Sequence, residues 1–321
     1  MREAVFIKQN IEKWRKYEAL MPELGSQSTD YLVDVYTDLS SDLSFARSHY
    51  PNSQLTPFLN DLTLRLHREL YKVKREPVKR LWTFWRDEVP LAMWRSRREL
   101  SIALLIFILS IAIGVISSLG DESFPRLIMG DDYIDMTIDN IENGEPMGVY
   151  GTTSGTTMFL GIAYNNIRVA FMAFALGLLT SLGSAYILMS NGIMLGAFLT
   201  FFVRYRLLGF SALTVMMHGT LELTAIVVAG GAGIVMGNGW LFPGTYSRLQ
   251  SFRRSAMHGL KVVAGTVPVL LLAAIIESFV TRHTGWPLPL KLSVIIVSAL
   301  MLGFYYIYLP VRAGRSLTHE A

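Results

Sequence analysis

Residues 95–121 read RSRRELSIALLIFILSIAIGVISSLGD. Positions 100–119 carry no charge, and twenty residues of helix at 1.5 Å each cover about 30 Å, the hydrocarbon thickness of a bilayer. Arg95, Arg97 and Arg98 stand just before the run and Asp121 just after it. A stretch of this kind decides the fold. It makes the chain a membrane protein.

Working outward, five more apolar segments follow, at 167–189, 192–208, 210–236, 261–280 and 290–309. The segment 192–208 offers only about a dozen apolar residues before Arg204, short enough for a re-entrant hairpin arm. Between 146 and 319 the only carboxylates are Glu222 and Glu277. No soluble domain is so poor in acid. The first 98 residues differ, holding 17 Lys/Arg and 13 Asp/Glu. There the apolar residues fall at helical spacing in three stripes: Phe6, Ile7, Ile11, Trp14 and Tyr17; Leu32, Val35, Tyr36, Leu39 and Leu43; Leu55, Phe58, Leu59, Leu62, Leu66, Leu70 and Val73. Stops fall at 22–25 and at Tyr50-Pro51. Three amphipathic helices can bury such stripes against one another.

The predicted fold is all-α: a polytopic membrane helix bundle of about six spans behind an N-terminal cytosolic helical domain. Residues 1–76 form the cytosolic bundle, 77–98 an interfacial amphipathic elbow helix, 99–312 the transmembrane domain with an external acidic loop at 120–157, and 313–321 a cytosolic tail. The elbow is read from aromatic and basic residues interleaved just before the first span. Trp82, Trp85 and Trp94 with Arg95, Arg97 and Arg98 suit the headgroup layer of an anionic leaflet. The same pattern would serve a fourth helix of the bundle.

Charge sets the orientation. Residues 121–145 contain eight acids and one base, Arg126, whereas Arg248, Arg253, Arg254, Lys261, Arg312 and Arg315 lie in or beside the loops on the other side. Basic loops stay cytoplasmic, so six crossings put both termini inside. The pI of about 9.2 therefore speaks of membrane lipid, and no nucleic acid is expected. The absence of cysteine excludes disulfides, thiolate metal sites and a cysteine nucleophile. Residues 1–17 are charged throughout, so no cleavable leader is expected.

Small residues recur every four positions at Ala173, Gly177, Ser181 and Ala185, and Gly233 and Gly237 form a GxxxG pair. Such faces let helices approach closely, either within one subunit or across a dimer. Deeper chemistry rests on His218 and Glu222, four residues apart on one helix face, on Glu277, and on Asn165, Asn166 and Asn191, read as marking the ends of the second span. A charge at the bilayer centre costs at least roughly 2.5–3.5 kcal/mol, so these groups must be neutral, paired or wet. Three uses stay open: structural hydrogen-bonding glue, an ion or proton path, or a metal site with His218, Glu222 and Glu277 as N/O ligands. H-x-x-x-E is a weak motif, so neither a resident metal nor a cofactor nor a catalytic residue is assigned. The run Gly151-Thr152-Thr153-Ser154-Gly155-Thr156-Thr157 lacks the ending of a phosphate loop and reads as a polar loop. Ile128, Ile134, Ile138 and Ile141 suggest a short external amphipathic helix.

Five motifs occur in order: Asn165-Asn166-Ile167-Arg168-Val169-Ala170, Asn191-Gly192 with Leu195-Gly196, His218-Gly219-x-x-Glu222-Leu223, Gly230-Gly231-Ala232-Gly233, and Ala273-Ala274-x-x-Glu277-x-Phe279. Together they resemble the stage II sporulation protein M family of integral membrane proteins. The opening Phe6-Ile7-x-x-Asn10-x-x-x-Trp14 resembles its longer members, which carry a cytosolic helical extension. Met217 stands where a proline is common in the family. The resemblance implies a non-enzymatic scaffold or anchor in the bacterial inner membrane. The namesake anchors a lytic transglycosylase and an amidase, and relatives are often encoded beside MoxR-type AAA+ ATPases and von Willebrand factor A proteins. Cell-wall hydrolases or an AAA+ system are thus the implied partners, with a homo-oligomer, most simply a dimer, as the expected assembly. The alternatives are a small transporter or channel using His218, Glu222 and Glu277, and a membrane-embedded metal-dependent hydrolase.

Overall fold

The computed structural model describes residues 2–21, 29–71, 79–146, 155–281 and 286–319. The chain divides into two compact units, meeting in sequence at Pro77 and Val78, and every element assigned among the described residues is helical. The expected stop at 22–25, the stripe residue Val73, and positions 151–154 of the polar loop lie outside the described residues.

The N-terminal unit consists of α1 (Glu3–Leu20), α2 (Thr29–His49) and α3 (Leu55–Leu70). Its core is the three stripes facing one another: Phe6 and Trp14 from α1, Leu32, Val35, Leu39 and Leu43 from α2, and Leu55, Leu59, Leu62 and Leu66 from α3. Burying each such leucine contributes roughly 1.5–3 kcal/mol. Polar partners set the register of α1 on α2. The indole of Trp14 donates to Asp42 at 2.7 Å, and Lys13 sits between Asp38 at 3.1 Å and Asp42 at 2.7 Å. None of these helices is among those apolar enough to cross a membrane.

The second unit opens with α4 (Lys79–Thr83), a π-helical turn at Phe84–Glu88 and α5 (Val89–Arg95). Val89, Ala92 and Met93 are buried in the main core of this unit. Trp82 is 67% exposed, while Trp85 and Trp94 are half-buried. Trp94 carries Arg97 over its ring at 4.6 Å and lies where any side chain at Gly314 would collide with it. Of the elbow tryptophans, only Trp82 turns fully outward.

Six helices among the described residues are long and apolar enough to cross a membrane: Arg97–Gly120, Thr157–Leu179, Ser181–Arg204, Leu208–Leu241, Arg248–Thr281 and Leu288–Ser316. They comprise α6 (Arg97–Gly120); α9 (Gly155–Ala175) with a 3-10 turn at Leu176–Leu179; α10 (Ser181–Arg204); α11 (Leu208–Leu241); α12 (Arg248–Ile276) with a π-helical turn at Glu277–Thr281; and α13 (Leu288–Leu302), a π-helical turn at Gly303–Tyr308 and α14 (Leu309–His319). Two short helices, α7 (Phe124–Met129) and α8 (Asp131–Glu142), join the first span to the second. The expected amphipathic helix is split: Ile128 lies in α7, the chain breaks at Gly130 (φ 90°), and α8 buries Ile134 against Phe201 and Phe202 of α10, with Ile138 and Ile141 alongside. Arg126 ties it to α7 through Asp131 at 3.2 Å and Asp135 at 2.7 Å.

Two sequence expectations are corrected. The second span is not 167–189, because the chain turns at Thr180 (φ 131°). The polar turns of α9 around Asn165, Asn166 and Arg168 hide its first half from a hydropathy reading. Nor is 192–208 a short hairpin arm, because α10 starts at Ser181 and runs 24 residues. The stripe Ala173, Gly177, Ser181, Ala185 is therefore no single helix face, since Thr180 interrupts it. Its members instead meet α11. A Cβ on Gly177 would strike the Gly233 carbonyl, one on Gly233 would meet Ser184 and the Ala173 carbonyl, and one on Gly237 would meet Ser181. Ser181 also donates to Asn238 Oδ1 at 2.8 Å. Ser184, not Ala185, is the buried member of this contact. Glycine is required because backbone faces backbone here.

Candidate functional site

α11 is the helix around which this unit is built, with nearly three quarters of its most apolar window enclosed (72%). Its apolar side chains are enclosed because other helices pack on several sides, and for the same reason its two ionisable side chains have protein neighbours. His218 and Glu222 project from successive turns of one face, as the four-residue spacing dictates. Opposite them the end of the fifth span widens into its π-helical turn, which starts at Glu277 and ends at Thr281. Such turns recur at functional sites because the extra residue re-aims side chains.

The geometry is close. His218 Nε2 lies 3.7 Å from Glu277 Oε1, and His218 Nδ1 shares a hydrogen bond with Thr281 Oγ1 at 3.2 Å. One donor atom each from His218, Glu222 and Glu277 falls within 4.8 Å of the others. Asn166 of α9 sits beside Glu222. Its Nδ2 is buried and makes no hydrogen bond of ordinary geometry. A cavity of about 520 Å³ reaches all three members of the cluster. Asn165, Asn191, Met194 and Val215 line its flanks, while Met129 of α7 and Tyr133 of α8 close one end. Asn165 and Met194 are also exposed on the outside of the bundle, so the cavity opens between α9 and α10. Burial pushes the Tyr133 phenol up from its ordinary value.

The structure thus brings together residues that sequence placed far apart, and moves others. Asn165, Asn166 and Asn191 are not span ends. The first two lie midway along α9, and Asn191 lies ten residues into α10, where its Nδ2 donates to the Ile187 carbonyl at 2.8 Å. Helix boundaries drawn ten residues too late caused the misplacement. Sequence reasoning missed Thr281 entirely, because a threonine at a span end carries no local signal. It also passed over Arg168, exposed halfway along the second span, and Lys291, buried one turn into α13 with its Nζ 4.8 Å from the Phe210 ring centroid. Both were visible as lone cations in apolar runs.

Comparison with protein-family models adds the decisive observation. Residues 103–282 match the model of stage II sporulation protein M. The chain belongs to this family. The matched region begins in α6 and reaches the π-helical turn of the fifth span, so every residue of the cluster falls within the SpoIIM domain. Residues 4–72 match a second model, a domain of unknown function termed DUF8413, which coincides with α1–α3. No curated protein and no solved structure matches the chain. The SpoIIM match carries membership and membrane character; the chemistry must come from the cluster.

Proposed function

We propose that this SpoIIM-family protein is a component of the bacterial inner membrane, with both termini cytoplasmic, that binds a small polar or cationic ligand inside its transmembrane bundle on behalf of a cell-envelope complex. The cavity reaching Glu222 carries this reading. A cluster serving only as hydrogen-bonding glue is best closed over by its neighbours, since every buried polar group left unpaired costs about 1–3 kcal/mol. Here His218, Glu222 and Glu277 face open space. The neighbouring side of α11, with Leu221, Ala225, Val228, Ala229 and Ala232, is packed into the core. A cavity set against a helix packed in this way suits a binding step better than an open pore.

The scaffold role implied by the family is the second reading. The separate α1–α3 module favours it, since it offers a membrane-anchored surface to cell-wall hydrolases or an AAA+ system. A homo-oligomer belongs to either reading. Its support is the outer face of α9, which presents Tyr164, Asn165 and Arg168 at mid-span.

The chain has no native cysteine, which makes the test clean. Asn191→Cys and Val215→Cys should react with a small water-soluble thiol reagent in the folded protein, while Leu221→Cys, fully enclosed, should not. If neither cavity position reacts any faster than Leu221→Cys, the cavity is dry and the scaffold reading replaces this one.

A further inference from the structure

We infer that His218, Glu222 and Glu277 form a binding site for one first-row divalent metal ion of the zinc class, with its remaining position open to the cavity. The inference rests on the cavity reading and names the class of ligand.

Distance comes first. In a tetrahedral site with bonds of 2.0–2.2 Å, neighbouring ligand atoms stand about 3.4 Å apart. His218 Nε2 and Glu277 Oε1 are already at 3.7 Å, and the three donor atoms all lie within 4.8 Å of each other. Closing the remainder takes at most about 1.4 Å, within reach of a carboxylate rotation on either glutamate. The helices need not move.

The imidazole is held as a ligand would be. A metal-bound histidine almost always has its second nitrogen fixed by a hydrogen-bonding partner, which sets ring plane and tautomer. Thr281 Oγ1 occupies that place at 3.2 Å from Nδ1, so Nε2 is turned toward the carboxylates. One π-helical turn supplies both the candidate ligand Glu277 and the positioning residue Thr281.

Charge then selects the occupant. Two carboxylates side by side among apolar helices repel each other and are poorly solvated. One divalent cation makes the deprotonated pair neutral, whereas one monovalent ion leaves a negative charge. One imidazole nitrogen and two carboxylate oxygens, with no thiolate in the chain, suit zinc, manganese, iron(II) or cobalt. The same set disfavours copper(I), which prefers sulfur, and calcium or magnesium, which take oxygen. Asn166, 3% exposed, rests beside Glu222, where its amide can steady that carboxylate on the ion.

The experiment uses the full chain purified in detergent, stripped with a chelator and titrated with Zn²⁺ and with Co²⁺. We expect about one equivalent bound per chain and a visible cobalt spectrum of tetrahedral form, bleached by zinc. Glu222→Gln and Glu277→Gln should each lose the bound ion. Thr281→Val should still fill, with an affinity about 10–100-fold weaker. His49→Gln, in the N-terminal unit, should bind as the wild type does. An unmetallated wild type, or ion retained equally by both Gln variants, would overturn the site. So would an unchanged affinity in Thr281→Val, a variant that decides the matter even where a Gln variant fails to fold. Thiol labelling at Asn191→Cys without metal binding removes this inference and leaves the cavity reading standing.

Discussion

At the residue scale one ion pair ties the elbow to the bundle beside their shared apolar core. Glu88 closes the π-helical turn, and its Oε2 accepts a hydrogen bond from Lys261 Nζ at 2.6 Å. Nearby, His258 Nε2 meets Ser96 Oγ at 2.8 Å and the Ala92 carbonyl at 3.1 Å. Lys261 holds the Glu88 carboxyl below its ordinary value of 4.5. A carboxyl with a depressed folded pKa contributes its stability above the unfolded value and loses it as pH falls through the folded one. Glu88→Gln should therefore lower stability in detergent at pH 7 by about 0.2–1 kcal/mol, the usual worth of a solvent-facing pair. Melting curves of variant and wild type should converge in acid, well below pH 4.5. A gap that persists unchanged there would show that the pair is not the source. Sequence displayed both residues as charges beside an apolar run, but not their pairing across 173 positions.

At the element scale α9 carries the least expected feature. Its outward face shows Tyr164, 70% exposed, with Asn165 and Arg168 beside it in the middle of a span. Arginine facing hydrocarbon at that depth costs at least roughly 2.5–3.5 kcal/mol, a penalty that a facing protein surface removes. A second copy is the expected cover. Tyr164→Cys should form cross-linked dimers in membranes under a permeant oxidant, and Leu105→Cys, equally outward on α6, should not. Equal yields at the two positions would exclude α9 as the contact. The small residues, which could serve packing within one subunit or across a dimer, pack inside one subunit. Hydropathy could not find the turn at Thr180, since no proline or charge marks it. Backbone contact between the 3-10 turn and α11 holds it, at a cost of order 1–3 kcal/mol for a threonine at that φ.

At the scale of the whole molecule, six spans return the end of α14 to the side from which α6 starts. That side gathers Arg95, Arg97, Arg98, Arg248, Arg253 and Arg254, while the acids of 121–145 gather on the other. With basic loops inside, Asp132→Cys should label in intact cells with an impermeant thiol reagent. Gln250→Cys should label only after permeabilisation. Both positions are exposed, so silence at either is informative, and labelling of both from outside would remove the six-span arrangement.

The sequence by itself determined that six segments are apolar enough to cross a membrane, the helical class, and the apolar stripes that fold α1–α3. These are properties of a segment against its surroundings, and composition with period is enough to state them. Only the tertiary structure decided where the second span ends, which helix each glycine meets, and that Glu277 and Thr281 reach the two nitrogens of His218. Those depend on two surfaces meeting within a few tenths of an ångström, where close packing leaves a single arrangement. A lone segment carries half of each contact, and half a contact has no signature.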